Sequence, residues 1–187
     1  MAADIFRSLQ AEHEEFLAGL AAVARGGGAV GAAAKAVAKL LDPHLVKEKA
    51  YALPPLEILS ALVNGRFPVN TRKILGLTEK LRASVDEMLD EHKAILLAAR
   101  KLARVAEQES KVEPARLAEK LIRHAKAEEE IFYPVVILIG EYLKLKTARA
   151  AAARESERCA TGLCRVTFMH PTRDSRERRL PSKFHCK

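Results

Sequence analysis

The chain has 187 residues, a net charge of +8, nine Gly, eight Pro and no Trp, which suits one helical domain with a buried core and some excess chain. Residues 147–187 hold ten Lys and Arg against four Asp and Glu, so the rest of the chain is near neutral, unlike a basic nucleic-acid-binding domain. No apolar run reaches the roughly 18 residues of a membrane span, and no signal layout is found near Met1. We therefore expect a cytoplasmic protein with no membrane partner and no clear nucleic-acid partner.

Apolar residues that recur at helical spacing predict four long helices. In chain order they span about residues 3–24, 30–53, 71–109 and 113–146. Pro43 falls inside the second helix and is expected to bend or break it just before His44. A short extra helix over residues 56–63 is expected between the second and third long helices. The sequence thus predicts an all-α, up-down-up-down four-helix bundle as a domain over residues 1–146.

Residues 147–187 are predicted to form a separate basic tail. The alanine-rich stretch 148–153 can extend the last helix, but from Ser156 onward the missing periodicity and the many Arg residues predict disorder. All three cysteines lie in this tail, so no disulfide can crosslink the helices of the bundle. A zinc site in the tail is the weaker alternative to an unstructured extension, because the candidate ligands are irregularly spaced: Cys159, Cys164, His170, His185 and Cys186.

Each long helix carries one histidine in its apolar stripe. His13 and His44 are 31 residues apart, His92 and His124 are 32 apart, and the midpoint of each pair falls near a predicted turn. Residues equidistant from the turn of an antiparallel helix pair lie at the same depth. Each hairpin should therefore place its two histidines side by side, and two packed hairpins should bring all four imidazoles to one level.

Two of these histidines begin a matched His-x-x-x-Glu motif, one ending at Glu48 and the other at Glu128. A step of four residues advances about 6 Å along a helix and turns about 40°, so the imidazole and the carboxylate point into the same space. A carboxylate in that place can bridge two metal ions while its histidine binds one of them. The predicted metal ligands are His13, His44, Glu48, His92, His124 and Glu128.

Imidazole and carboxylate donors without sulfur suit non-haem iron. With two octahedral iron ions, these ligands and an oxo or hydroxo bridge leave about two coordination positions for water, O2 or peroxide. Other divalent metals stay alternatives. A single inward histidine is usually an ordinary core residue, but one per helix together with two matched buried carboxylates is hard to explain by packing alone.

The pattern resembles the hemerythrin-like, or HHE cation-binding, family over about residues 1–145. The matching segments are Ala-Glu-His-Glu around His13, Asp-Glu-His-Lys around His92, the two His-x-x-x-Glu motifs, and Glu-Glu-Glu-Ile-Phe-Tyr-Pro ending at Pro134. The resemblance implies a four-helix bundle with a carboxylate-bridged di-iron site. It also implies functions in O2 binding, iron or oxygen sensing, or peroxide and nitric-oxide chemistry.

The chain departs from the oxygen-carrying members of that family at one ligand. Those members have a fifth histidine four positions from the one on the third helix, where this chain has Met88 and Leu96. The departure argues against dedicated reversible O2 transport. A ferritin-like di-iron site is discounted, because its Glu-x-x-His order is missing at the inward positions.

Several further side chains lie near the motifs. Glu12, Glu91 and Glu129 could complete a metal site, but their interpretation as solvated charges on helix faces is favoured. Tyr51 lies seven residues after His44 and could line a pocket, but core packing is the favoured role.

Three functions fit this pattern. The leading one is a di-iron protein that binds, senses or stores O2 or a related small ligand. The second is a di-iron enzyme acting on peroxide, nitric oxide or O2, with oxidase-, peroxidase- or catalase-like activity; an acid or Tyr beside an open coordination position would favour it. The third is an interaction module whose basic tail makes the contacts. The sequence does not decide between enzyme and binding protein, and it leaves the oligomeric state open.

Overall fold

The computed structural model describes the backbone of residues 2–160 and the side chains of residues 5–159. The chain divides into two units, Met1–Arg149 and Ala150–Lys187. The predicted domain boundary between residues 146 and 147 stays a prediction. The tail residues Cys164, His170, His185 and Cys186 lie outside the described residues.

The described chain is helical and contains no strand. Its helices are α1 (Ala2–Arg25), α2 (Gly28–Lys47), α3 (Leu59–Val63), α4 (Thr71–Gln108), α5 (Val112–Ala127) and α6 (Tyr133–Ala160). A π-helical turn over Glu48–Ala52 prolongs α2, another over Glu128–Phe132 joins α5 to α6, and a 3-10 turn over Pro54–Ile58 precedes α3. The all-α four-helix bundle with a short extra helix is confirmed.

The glycine turn between α1 and α2 forms as the sequence predicts. Gly27 and Gly28 both have positive φ angles, 69° and 65°, which a side chain would strain. In the bundle, α2 packs against α1 and α4, and α5 packs against α4 and α1. The four long helices therefore surround one common interior.

Pro43 does not break the second helix, so that part of the prediction is wrong. α2 continues through Pro43 to Lys47. Pro43 is exposed, so the carbonyl that loses its partner in the helix can be hydrated instead. The ligand candidates of this helix consequently stay on one continuous surface.

Two other prolines coincide with a change from α-helical to π-helical geometry. Pro54 and Pro134 each follow a candidate glutamate by six residues, and the π-helical turns lie between. The N–H group of the residue before each proline bonds the carbonyl of that glutamate, five residues back, at Leu53 and at Tyr133. Such wide turns are frequent at functional sites.

The bundle interior contains two apolar clusters separated by the level of the histidines. One cluster includes Phe16, Leu41, Ile95 and Leu121. The other includes Leu9, Tyr51, Met88 and Val136. α1 and α4 contribute to both clusters, while α2 and α5 contribute to the first and the segments that follow them contribute to the second. The polar level therefore lies between two apolar layers.

α4 and α6 approach closely at a glycine. A Cβ atom on Gly140 would meet the buried side chain of Thr78 closer than real contacts allow. α6 continues to Ala160, beyond the point near Ser156 where helical periodicity was expected to fail. In the second unit, the side chains of residues 151–159 are exposed. Among the described helices, none combines the length and the apolar character needed to cross a bilayer.

Candidate metal centre

The six predicted ligand side chains all lie buried in the bundle interior. The histidines are at most 7% exposed, and the carboxylates of Glu48 and Glu128 are 0% and 2% exposed. Buried groups of this kind are costly unless they are paired or bind metal. The structure thus brings the six residues together, while their role as metal ligands stays a proposal.

The histidines that touch come from different hairpins. Nε2 of His13 lies 2.8 Å from Nε2 of His124, and the rings of His44 and His92 have centroids 4.5 Å apart. The four imidazoles lie at a common depth, in agreement with the spacing argument, while the side-by-side placement of the two histidines within each hairpin stays a prediction.

Two groups of side chains could each hold a metal ion. One group is His13, His124 and Glu128, and the other is His44, Glu48 and His92; in each group the donor atoms lie within 4.8 Å of one another. Each group combines two imidazoles with one carboxylate, which is a donor set suited to iron and similar divalent metals. We call them the His13 position and the His44 position.

Each carboxylate faces both positions. Oε1 of Glu48 lies 3.4 Å from Nε2 of His44, and its Oε2 lies 3.4 Å from Nε2 of His13. Oε1 of Glu128 lies 3.0 Å from Nε2 of His124, and its Oε2 lies 3.5 Å from Nε2 of His92. This is the arrangement that two bridging carboxylates require.

The donor atoms leave one buried charge unsatisfied. Oε2 of Glu48 is buried and has no hydrogen-bond partner in the described structure. It points toward His13, whose Nε2 in turn faces Nε2 of His124. A buried carboxylate oxygen without a hydrogen-bond partner, close to two imidazole nitrogens, fits a cation between them, so the residues present suit a metal centre.

Three of the four imidazoles are held from behind by a carboxylate on a neighbouring helix. Nδ1 of His124 donates to Glu12 at 2.7 Å, Nδ1 of His44 to Glu91 at 2.8 Å, and Nδ1 of His92 to Glu129 at 3.1 Å. Such contacts turn Nε2 toward the centre and increase its basicity. These three acids, which the sequence favours as solvated charges, are partly exposed, but each also contacts a histidine of the centre.

Lys47 extends one of these contacts. Its Nζ lies 2.5 Å from both Glu87 and Glu91. Partial burial tends to raise the pKa of Glu91, but Lys47 and His44 outweigh it and lower that pKa. Glu91 therefore stays ionised as the partner of His44.

The charges in the centre shift several pKa values. Burial alone lowers the pKa of His44 and of His124, but the nearby carboxylates outweigh burial and raise both above 6.5. Burial and the charge of His44 lower the pKa of His92. Burial raises the pKa of Glu128, yet its hydrogen bonds to His124 and His13 win and lower it to about 2. The buried carboxylates thus favour the protonated forms of His44 and His124.

Tyr133 is the site residue that the sequence analysis missed. Its hydroxyl donates to Oε1 of Glu48 at 2.5 Å and lies 3.4 Å from Nε2 of His44. Burial and the charges of Glu48 and Glu128 raise the pKa of Tyr133 far above 10. Tyr133 follows Glu128 by five residues, which in a regular α-helix would turn it about 140° away from the carboxylate. The signal that could have placed it is Pro134, because a proline at that spacing favours the wider turn.

The other residues weighed from the sequence take structural places. Tyr51 is buried, donates to Met88 Sδ and accepts from Ser84, so its predicted role in core packing is confirmed. Met88 belongs to that same apolar cluster, and Leu96 is also buried.

Two surface cavities reach the His13 position. One of about 160 Å³ lies between α1 and the α2 segment and is lined by His13, Leu45 and Leu53. The other, of about 710 Å³, is lined by His124 and Glu12. His44 and His92 line neither of them and are only 1% exposed.

The family assignment follows from this fold and this set of side chains. The chain matches the family described as Hemerythrin HHE cation binding domain over residues 4–136, and it belongs to that family. Comparisons with curated proteins and with solved structures gave no match. The chain is thus a hemerythrin-type helical bundle with a cation-binding domain, and its histidine and glutamate groups could hold metal.

Proposed function

We propose that this protein binds two iron ions, with an oxo or hydroxo bridge, between His13, His44, His92, His124 and the two carboxylates Glu48 and Glu128, and that it uses them to bind O2 or a related small ligand. The proposal rests on the placement of the two carboxylates, because each has one oxygen facing the His13 position and the other facing the His44 position. Bound iron would supply a Lewis acid and a source of electrons. The expected role is oxygen or iron sensing, binding or storage in the cytoplasm.

The chain's own groups prepare the site for this role. Glu12, Glu91 and Glu129 fix the orientation of three imidazoles. The apolar layers on both sides limit the approach of water. The cavity at His13 and Leu53 offers a small molecule a short route to the His13 position.

Metal analysis of the anaerobically loaded protein tests this proposal. Wild-type protein should bind two iron ions per chain, while Glu128→Ala should lose metal and the thermal stability linked to it. Glu130→Ala changes an exposed neighbouring carboxylate and should keep both ions. Wild-type protein without iron, or Glu128→Ala with unchanged iron content, would remove the assignment.

A di-iron enzyme acting on peroxide, nitric oxide or O2 is the second candidate. The observation in its favour is the phenol of Tyr133 beside the metal-binding groups, since a protic group there can serve turnover. Addition of O2 and then peroxide to the iron-loaded protein separates the two. A stable spectrum that reverses when O2 is removed favours binding, whereas bleaching with consumption of peroxide favours the enzyme.

A further inference from the structure

The hydroxyl oxygen of Tyr133 lies close to the three side chains that define the His44 position. It lies 2.5 Å from Oε1 of Glu48 and 3.4 Å from Nε2 of both His44 and His92. A phenol has one proton, which the contact with Glu48 uses. The two imidazole contacts at 3.4 Å are too long for good hydrogen bonds, so hydrogen bonding does not account for this convergence.

Apart from the 2.5 Å hydrogen bond between Tyr133 and Glu48, the distances fall in the range between ligands of a common ion. Bonds of about 2.1 Å to nitrogen and oxygen place neighbouring donors about 3.0–3.4 Å apart and opposite donors about 4.2 Å apart. At the His44 position, Nε2 of His44 and of His92 lie 3.4 and 4.0 Å from Oε1 of Glu48. The phenol oxygen adds separations of 2.5 and 3.4 Å to the same set.

The repeat within the chain distinguishes the two metal positions. Tyr133 and Leu53 occupy equivalent places, each five residues after a candidate glutamate and one before a proline, with the same backbone bond to that glutamate. Both are buried, at 1% and 0% exposure. Tyr133 brings an oxygen to the His44 position, whereas Leu53 and His13 line the small cavity.

We propose that Tyr133 is a seventh protein ligand, which binds the iron ion of the His44 position through its phenolate oxygen. The inference rests on the proposed function, since it requires iron at this site. When the oxygen–iron bond forms, the O–H bond breaks and its proton leaves to solvent, with Oε1 of Glu48 as the nearest base. The one coordination position then left open for a small ligand belongs to the ion at His13, beside the apolar side chain of Leu53.

Ferric-phenolate spectroscopy on the full chain tests this ligand. Protein is loaded anaerobically with Fe(II) and oxidised with hexachloroiridate(IV), which takes one electron from each iron, and is then desalted. Iron per chain is measured beside the visible charge-transfer band and the tyrosinate ring modes in resonance Raman spectra. Wild-type protein should show the band and the modes, and Tyr133→Phe should retain iron and lose both.

The other tyrosines supply matched controls. The chain has three tyrosines, Tyr51, Tyr133 and Tyr142, so the double variant Tyr51→Phe/Tyr142→Phe leaves Tyr133 alone. This variant should keep the band even if Tyr133→Phe does not fold. A wild-type protein that binds two iron ions without the band, or a band that survives in Tyr133→Phe, overturns the ligand assignment while leaving the proposed function. Absence of bound iron overturns both.

Discussion

Replacing Glu12 by Gln separates the charge of a supporting carboxylate from its geometry. Glu12 accepts a hydrogen bond from Nδ1 of His124 at 2.7 Å. The Gln side chain keeps an oxygen acceptor at nearly the same place, so the imidazole should keep its orientation. What is lost is the negative charge that makes Nε2 of His124 a stronger donor to metal.

The expected loss of metal affinity is about tenfold. Changes to such supporting groups cost about 10- to 100-fold, or about 1.4 to 2.7 kcal/mol. The side chain of Glu12 is 36% exposed, so solvent screening places the charge effect near the lower limit. Glu12→Ala removes the acceptor as well and should approach the upper limit.

Anaerobic competition of Fe(II) between the protein and a chromophoric chelator measures this loss. Glu15→Gln is the matched control, since Glu15 lies on the same helix, is 60% exposed and pairs with Lys120 at 2.6 Å. That variant should stay within about twofold of wild type, as an exposed ion pair contributes little. Wild-type affinity in both Glu12→Gln and Glu12→Ala would refute the claim that this carboxylate tunes a ligand.

Four further outcomes follow from the structure. Metal affinity should fall as pH drops from about 8 to about 6, by about tenfold per pH unit for each displaced proton, because His44 and His124 have raised pKa values. These two shifts stabilise the metal-free protein fully below pH 6.5, and that contribution is lost as the pH rises through the raised values, as thermal melts of the metal-free protein should show. Gly140→Ala should destabilise the fold by about 1–3 kcal/mol in urea melts, since its methyl group meets a buried hydroxyl, whereas Gly76→Ala has open space and should stabilise α4 by about 0.5–1 kcal/mol. Removal of residues 161–187 should leave iron per chain unchanged, because all the candidate ligands precede this segment.

The depth of the site could be predicted from the sequence because it depends only on the number of residues between each histidine and the turn. Helical spacing fixes how far His13 and His44 lie from the turn between them, and a step of four fixes the relation of His44 to Glu48. The turn itself was readable from its glycines. These relations hold for any regular helix pair, so no tertiary information was needed.

The site's further partners could not be predicted because they depend on departures from regular helix and on contacts between helices. Tyr133 reaches the site only through the π-helical turn that begins at Glu128. Glu91 looks like a surface charge on its own helix, and only the packing of α4 against α2 brings it to His44. Helical periodicity describes one regular helix at a time, so it predicts neither the place of Tyr133 nor that of Glu91.

The supporting carboxylates also indicate which edge of the bundle is left free for a ligand. The contact of His124 with Glu12 joins α5 to α1, that of His44 with Glu91 joins α2 to α4, and that of His92 with Glu129 joins α4 to the fourth long helix.

The fourth edge, between α1 and α2, has no such brace. Within the described residues, no hydrogen bond holds Nδ1 of His13. The small cavity opens on this same edge, and Leu53 stands there in the place that Tyr133 takes in the other repeat. An imidazole without a brace can adjust its position, and an apolar neighbour competes with no incoming ligand for a coordination position. Three separate features of the chain thus favour the His13 position for the small ligand of the proposed function.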